Sequence, residues 1–271
     1  MSSVLERTLG ILELLSQQGQ GMELAALAEQ LNMPKSAAHR LLADLVRCGY
    51  VRQMRDMGEY MLTTKLVSMG LTYLSKSGVV DVAQPLIDRL AEHTGELVRL
   101  SVVDGDRLTW VARAQGARQG LRYDPDMGSI ARLSCSSSGL AWLSTMDDDQ
   151  ALALVSRQGL GAREAFGPNA PASLSDFLNT LHETRERGVA ITEETYTAGL
   201  NAMAAPVRLA GQVPMGTLSI AGPSARLTRE RMEALCADLL ACAAQLAAAS
   251  SASPLLSRGP GTTHLQPIYA P

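Results

Sequence analysis

Residues 27–42 read LAEQLNMPKSAAHRLL. Apolar side chains recur at helical spacing over residues 24–31, and this short helix is predicted to end at Asn32. A second helix is predicted over residues 34–48, because the proline that opens it has no backbone N–H to leave unpaired. The small residues Ala26, Ala37 and Ala38 allow two short helices to cross closely. The pattern predicts a helix-turn-helix.

The flanking segments complete a small domain. Upstream, leucines at helical spacing predict a first helix that ends before Gly19. Downstream, apolar and polar residues alternate over residues 50–54 and 59–62, on the two sides of a turn at residues 55–58. This β-hairpin has the position of a wing. Residues 1–63 are therefore predicted to form a winged helix-turn-helix domain.

The charge is unevenly distributed along the chain. With 24 Lys and Arg against 27 Asp and Glu, the net charge of −3 argues at first against a nucleic-acid partner. Residues 1–32 carry −3, however, whereas residues 33–65 carry six bases and three acids, or +3. A basic segment that coincides with the second helix and the wing favours phosphate contacts. A solvated helix face is the alternative explanation for the charge alone.

The position of each residue in this module predicts its contact with double-stranded DNA. The N-terminal part of a recognition helix faces base edges in the major groove, and a wing reaches the backbone phosphates. The expected base-edge contacts are Lys35, Ser36, Ala37, His39 and Arg40, and the expected phosphate contacts are Arg52 and Arg55. A winged-helix module that binds protein instead of DNA remains an alternative.

The rest of the chain predicts an α+β domain. A linker helix is predicted over residues 64–78, and helices alternate with short strands over residues 79–249. Strands at 98–102 and 108–112 flank the turn pair Asp104-Gly105, and the last helix is predicted as one long segment that begins after Thr228. The tail, residues 250–271, is rich in Ser, Pro and Gly and is predicted to be disordered.

Composition excludes several classes of protein. The chain is 46% hydrophobic and 19% charged, which is typical of a globular protein. The four cysteines form no CxxC pair and the four histidines are scattered, so neither a metal site nor a disulfide framework is expected, and no cofactor. No signal peptide or membrane span is predicted, so we expect a cytoplasmic protein.

Residues 134–139, Ser-Cys-Ser-Ser-Ser-Gly, are the candidate for either catalysis or ligand binding. A nucleophile elbow requires G-x-S-x-G, but Ser134 and Ser138 stand where Ser136 would need glycines, so no catalytic residue is predicted. Serine hydroxyls at the start of a helix are suited to binding a small anion. The alternative hypothesis is a hydrolase-like, small-molecule-modifying enzyme with an accessory helix-turn-helix.

Three stretches, at residues 27–51, 188–207 and 218–228, resemble bacterial transcriptional regulators of the IclR (isocitrate-lyase-regulator) family, and the resemblance extends over residues 1–249. It implies a winged helix-turn-helix joined by a linker helix to a GAF-like effector-binding domain. It also implies a homodimer or homotetramer that binds an imperfect palindromic operator. Its effector would be a small carboxylic or aromatic acid, and its target a catabolic operon.

The resemblance also implies a pocket built by the loop before the helix at Ser136, by two strand positions and by a wall. This sequence differs from the family pattern at three positions, where Leu140 replaces a lysine, Thr192 an acid and Ala202 a cysteine. Fewer polar groups favour a larger, partly apolar acid, whose carboxylate we expect Arg122 or Arg132 to pair. The full set of candidate effector residues is Arg122, Tyr123, Ala131, Ser136, Ser137, Ser138, Thr192, Tyr196, Asn201 and Ala202.

Overall fold

The structure is a computed structural model that describes residues 3–54, 58–123, 128–161 and 163–250. The chain divides after Lys76 into two compact units, each of which is described by itself. Residues 55–57 of the predicted wing turn at 55–58, and nearly all of the predicted tail, lie outside the described residues.

The N-terminal unit contains the predicted helix-turn-helix and its hairpin. Its elements are α1 (Val4–Ser16), α2 (Leu24–Gln30), α3 (Lys35–Arg47), β1 (Val51–Gln53), β2 (Tyr60–Leu62) and α4 (Thr64–Ser77). A capping box between Ser3 and Glu6 begins α1. The two strands are antiparallel and pair Val51 with Leu62.

The turn between α2 and α3 is tight because Asn32 adopts a positive φ of 46°, a conformation that asparagine tolerates better than most residues. The Met33 N–H then donates to the Ala28 carbonyl, 2.9 Å away. Ala38 is fully buried at the crossing of the helices, as its small size predicts. The core of the unit consists of apolar side chains from α1 to α3, β1 and β2, among them Ile11, Leu15, Leu27, Leu41, Leu42, Leu45, Val51 and Tyr60.

The C-terminal unit is built on a five-stranded antiparallel sheet with the order β4-β3-β7-β6-β5. Its strands are β3 (Leu97–Asp104), β4 (Arg107–Gln115), β5 (Ala190–Glu193), β6 (Leu200–Val207) and β7 (Gly216–Pro223). Its helices are α5 (Val79–Thr94), α6 (Ser137–Leu143), α7 (Asp148–Gln158), α8 (Leu174–Arg187), α9 (Arg229–Ala234) and α10 (Cys236–Ala249). Helices α5 and α10 pack on one face, and α6 and α8 lie on the other. The predicted α+β class is confirmed.

A β-bulge in β4 changes which face its residues occupy. The register between β3 and β4 shifts between Leu100 and Ser101, so Leu100 pairs with Ala112 while Ser101 pairs with Trp110. As a result Trp110 packs in the core on the α6 side, whereas Ala112 packs in the core on the α5 side. The sequence pattern at Leu108, Trp110 and Ala112 predicts regular alternation along this strand, and the bulge breaks that alternation between Trp110 and Ala112.

The predicted long C-terminal helix is also corrected, since α9 and α10 are separate helices that meet at Leu235 (φ −85°, ψ −4°). Apolar residues on both sides of the break, such as Met232 and Leu239, face the same core. Periodicity therefore gave no sign of the interruption. No helix within the described ranges has the length and hydropathy needed to cross a bilayer.

Candidate effector pocket and nucleic-acid interface

Helix α3 presents the predicted DNA-contacting residues at the surface. Its buried face contains Ala38, Leu41, Leu42 and Leu45. Lys35, Ser36, His39 and Arg40 are exposed, and Ala37 is partly exposed. Within the described part of the chain, the side chains of Lys35, His39 and Arg40 form no hydrogen bond or ion pair, so they are available to an external partner.

The wing contributes one described basic residue. Arg52 is exposed on β1 next to the buried Val51, and Arg55 lies outside the described residues. Two other bases of the positive segment are engaged internally. Lys65 donates to the Cys48 carbonyl over 2.7 Å and lies 4.4 Å from the centre of the Tyr50 ring, and Arg47 pairs with Asp44 at 2.8 Å. The charge pattern alone did not distinguish these two from the free bases.

A small cavity of about 20 Å³ lies in the C-terminal unit where the N-terminus of α6 meets the sheet. It is lined by residues from β3, β4, the segment after β4, α6, β5 to β7 and the loop after β5. These are Arg99, Trp110, Tyr123, Ser136, Ser137, Ser138, Thr192, Tyr196, Leu200, Ala202 and Ala221. The structure thus brings together seven of the ten predicted effector residues.

Helix α6 begins at the cavity with the predicted serines. The Ser136 hydroxyl accepts the Gly139 N–H at 3.0 Å and donates to the Arg132 carbonyl at 2.6 Å, which makes it a helix cap. Ser137 and Ser138 supply the next two N–H groups, which have no partner inside a helix. The start of α6 lies so close to the Leu133 backbone that position 139 requires glycine, since a Cβ there would lie 2.5 Å from that backbone.

Arg99 is the charged centre of the cavity, and the sequence analysis missed it. Its side chain comes from the middle of β3 and the residue is only 6% exposed. The Cζ atom lies 3.9 Å from the centre of the Trp110 ring and 5.7 Å from that of Tyr123. Among the described residues, neither Nε nor Nη1 of Arg99 has a hydrogen-bond acceptor, and the Trp110 Nε1 also lacks one.

The electrostatics of the cavity follow from this burial. Burial lowers the pKa of Arg99, and the nearby phenols of Tyr123 and Tyr196 oppose that effect. Burial raises the pKa of Tyr123, while Arg99 acts to lower it. A guanidinium stays charged under any physiological condition. The cavity therefore contains a buried cation with unsatisfied donors, which is costly unless an anion or acceptor reaches it.

Aromatic rings form much of the remaining wall. Tyr196 meets Trp110 edge-on at a centroid distance of 6.5 Å, and Phe166 stands behind it at 6.2 Å. The Thr192 hydroxyl donates to the Ala202 carbonyl at 3.0 Å, so it is already used within the sheet. The cavity combines one cation with an aromatic and aliphatic surface.

Three predicted residues do not line the cavity. Arg122 is exposed, and Ala131 is buried in the core on the α6 side. Asn201 donates through Nδ2 to the Leu227 carbonyl at 2.9 Å and accepts the Glu194 N–H at 3.2 Å. Arg132, the other arginine expected to pair a carboxylate, donates instead to the carbonyls of Gln158 and Gly159.

A second, larger cavity of about 90 Å³ lies beside Ser134 and Cys135, and Phe166 is part of its wall. Burial raises the pKa of the Cys135 thiol to about 12, so it remains protonated near neutral pH. This geometry gives no support to a reactive thiol.

Comparison with known proteins assigns both units. Residues 4–55 match the IclR helix-turn-helix domain, and residues 71–248 match the bacterial transcriptional regulator IclR C-terminal family. The chain is 29% identical over 243 residues to the acetate operon repressor of Salmonella typhimurium, covering 89% of this chain and 88% of that protein. It is 28% identical over 229 residues to the transcriptional repressor IclR of Escherichia coli, covering 84% and 82%.

Solved structures show the same fold. An IclR transcriptional regulator from Alicyclobacillus acidocaldarius has a TM-score of 0.79 at 24% identity, with 92% of this chain and 99% of that chain covered. An IclR homologue from Microbacterium hydrocarbonoxydans, in complex with 4-hydroxybenzoate, has a TM-score of 0.74 at 20% identity, with 93% and 100% covered. The matched families and curated relatives are transcriptional regulators, not enzymes. The chain therefore belongs to the IclR family of DNA-binding transcriptional regulators.

Proposed function

We propose that this regulator responds to a small organic acid whose carboxylate binds Arg99. The observation that carries the proposal is the pair of buried donors, Nε and Nη1, that no described acceptor satisfies. A carboxylate matches a guanidinium in both charge and geometry, and the low dielectric of a buried site strengthens the contact. Arg99 thus takes the role that the sequence suggested for Arg122 or Arg132.

The walls of the cavity favour an acid with an aromatic ring. Trp110, Tyr123 and Tyr196 offer ring faces and edges, and Leu200 and Ala202 offer aliphatic surface. The hydroxyls of Ser137 and Ser138 would accommodate a polar substituent. The 4-hydroxybenzoate complex of the Microbacterium relative supports the same ligand class. Control of a catabolic operon is the role we assign to such a response.

The N-terminal unit would bind an imperfect palindrome as a homodimer or a higher homo-oligomer. The free bases of α3 support the groove contact. Large apolar residues of α4, Val67, Met69, Leu71 and Tyr73, are 52–61% exposed, which is typical of a surface that a second copy covers. In this proposal residues 1–63 bind DNA, residues 64–78 form the linker helix and residues 79–249 bind the effector.

A ligand series tests the effector class without altering the protein. Thermal shifts and calorimetric titrations would compare 4-hydroxybenzoate and benzoate with the neutral benzamide and with the short acids glyoxylate and pyruvate. We expect the aromatic acids to raise the melting temperature by mass action and to change operator affinity in a gel shift. Equal binding of benzamide, or binding of the short acids alone, would contradict the proposal.

A further inference from the structure

Residues 117–123, the segment that follows β4, form the wall of the effector cavity that carries Tyr123. This segment has no regular secondary structure, and side chains hold it in place. Gln115 Nε2 donates to the Tyr123 carbonyl at 2.9 Å, and Arg226 Nη1 donates to the Leu121 carbonyl at 3.1 Å. A third contact, between Arg118 and the exposed Glu92 at 2.9 Å, lies nearer the start of the segment. Gln115 and Arg226 bond to the end that carries Tyr123 and so set where Tyr123 stands relative to Arg99.

Arg226 is itself held by a buried carboxylate. Its Nε and Nη2 donate to the two oxygens of Glu96 at 2.6 and 2.8 Å, in a bidentate pair. Glu96 is 1% exposed and lies between α5 and β3. Its carboxylate has no spare room, because a Cβ at Gly222 would overlap it. The guanidinium is thereby oriented so that Nη1 points at the wall.

A second arginine shares Glu96 but does not touch the wall. Arg231 Nη1 lies 3.4 Å from the Glu96 carboxylate and donates to the Arg226 carbonyl at 3.1 Å, and its Nη2 donates to the Thr94 carbonyl at 2.5 Å. Arg226 and Arg231 thus contribute to the same buried cluster, while Arg226 alone of the two bonds to the segment with Tyr123. This difference provides a matched control.

We propose that Arg226 is a positioning residue for the effector, which clamps the wall at Leu121 so that Tyr123 closes the cavity over Arg99. The inference rests on the proposed effector role of that cavity. A wall ordered before binding saves the ligand the entropic cost of ordering it, which increases affinity without a direct contact. Glu96 acts as the anchor of the clamp.

Lysine substitutions separate this role from simple stability. A lysine at 226 can still pair with Glu96, but its single nitrogen cannot also make the bidentate pair and the bond to the Leu121 carbonyl. We compare R226K with R231K in the whole chain. Both changes weaken the contacts around Glu96, but only R226K removes the bond to the wall. The first readout needs no ligand: trypsin cleavage after Arg122, within the wall, followed by mass spectrometry.

We expect R226K to accelerate that cleavage about tenfold, the effect of losing roughly 1.4 kcal/mol of local restraint, and R231K to leave it within about twofold. The second readout is the Kd of 4-hydroxybenzoate from tryptophan fluorescence, which we expect to rise about tenfold in R226K only. Equal changes in the two variants, or faster cleavage of R226K with an unchanged Kd, would overturn the inference. If the wild-type protein does not bind 4-hydroxybenzoate, the proposed ligand class fails, and the cleavage comparison still decides whether Arg226 holds the wall.

Discussion

Arg99 lies against the face of Trp110, with 3.9 Å between its Cζ atom and the centre of the ring. The contact depends on the bulge between Leu100 and Ser101, which pairs Trp110 with Ser101 and brings the indole to the face of the sheet that Arg99 occupies. The indole favours a cation through its ring quadrupole, but it accepts no hydrogen bond from the guanidinium edge. Stacking therefore places the charge, while the Nε and Nη1 donors stay available to a ligand.

Replacing Arg99 by methionine should abolish the response to acids without weakening the fold. Loss of charge-assisted hydrogen bonds to a carboxylate should raise the Kd of 4-hydroxybenzoate by at least about a hundredfold. The melting temperature of the ligand-free protein should stay the same or rise, because a buried cation with unsatisfied donors is removed. Calorimetric titration and thermal unfolding measure the two effects.

Arg132→Met is the matched control, because it removes an arginine whose Nη1 bonds to two carbonyls at the end of α7. It should lower the free energy of unfolding by about 1–3 kcal/mol and leave the Kd nearly unchanged. The reverse pattern, with ligand binding lost in Arg132→Met and kept in Arg99→Met, would show that the carboxylate binds Arg132 and would contradict the proposal.

Helical periodicity and capping residues predicted most of the fold. Leucine spacing located α1 to α3, and Ser136, Asp147, Ser173 and Thr228 cap the helices that follow them, as local hydrogen bonding dictates. The bulge in β4 and the break at Leu235 were missed for a different reason. Both features depend on how the chain packs against the sheet. Neither one interrupts the pattern of apolar residues in the sequence, so periodicity did not show them.

The candidate site was only partly predictable. The serines at α6 carried a local signal, and the family resemblance supplied Tyr123, Thr192 and Ala202. Arg99 had a signal that went unread: it is the lone charge in the apolar run Leu97–Val103, and a charge in a buried strand requires a partner or a function. Arg132 instead bonds to the carbonyl of Gln158 at the end of α7. This contact joins residues far apart in the sequence, so no local pattern shows it.

Cys135 should be inert towards alkylation in the native protein. Its pKa is raised to about 12 by burial, so at pH 8 only about one thiol in ten thousand is the reactive thiolate. Native labelling with N-ethylmaleimide should therefore modify the exposed Cys48 first, and Cys135 should react only after denaturation. Mass spectrometry of the digested protein distinguishes the two sites. Native labelling of Cys135 as fast as that of Cys48 would show that the thiol is accessible after all.

Arginine substitutions in the N-terminal unit should separate base readout from phosphate contact. Arg40→Ala, on the exposed face of α3, should cost about 1–3 kcal/mol on the preferred operator and relax the base preference at one position. Arg52→Ala, on β1, should weaken binding to all sequences alike and reduce the salt slope by about one. Gel-shift titrations over a range of salt concentrations on operator and scrambled DNA measure both effects.

Arg47→Ala serves as the control for charge alone, since Arg47 is exposed at the end of α3 and pairs with Asp44. It should alter operator binding less than either of the other changes. If all three variants lose affinity equally on both DNA sequences, the basic segment acts only as a diffuse charge, and the proposed docking of α3 is wrong.

Gly139→Ala should damage the effector cavity through packing. A methyl group at position 139 would meet the Cα and carbonyl oxygen of Leu133 at 2.5 Å, and backbone atoms cannot move aside as a flexible side chain can. Helix α6 must shift, which should lower the free energy of unfolding by about 1–3 kcal/mol and displace Ser137 and Ser138 from the ligand.

Gly70→Ala is the control, because it adds a methyl group to α4 with nothing within 4 Å and should stabilise the helix by about 0.5–1 kcal/mol. Denaturant unfolding and titration with 4-hydroxybenzoate measure both variants. Unchanged affinity in Gly139→Ala would mean that the start of α6 does not contribute to effector binding.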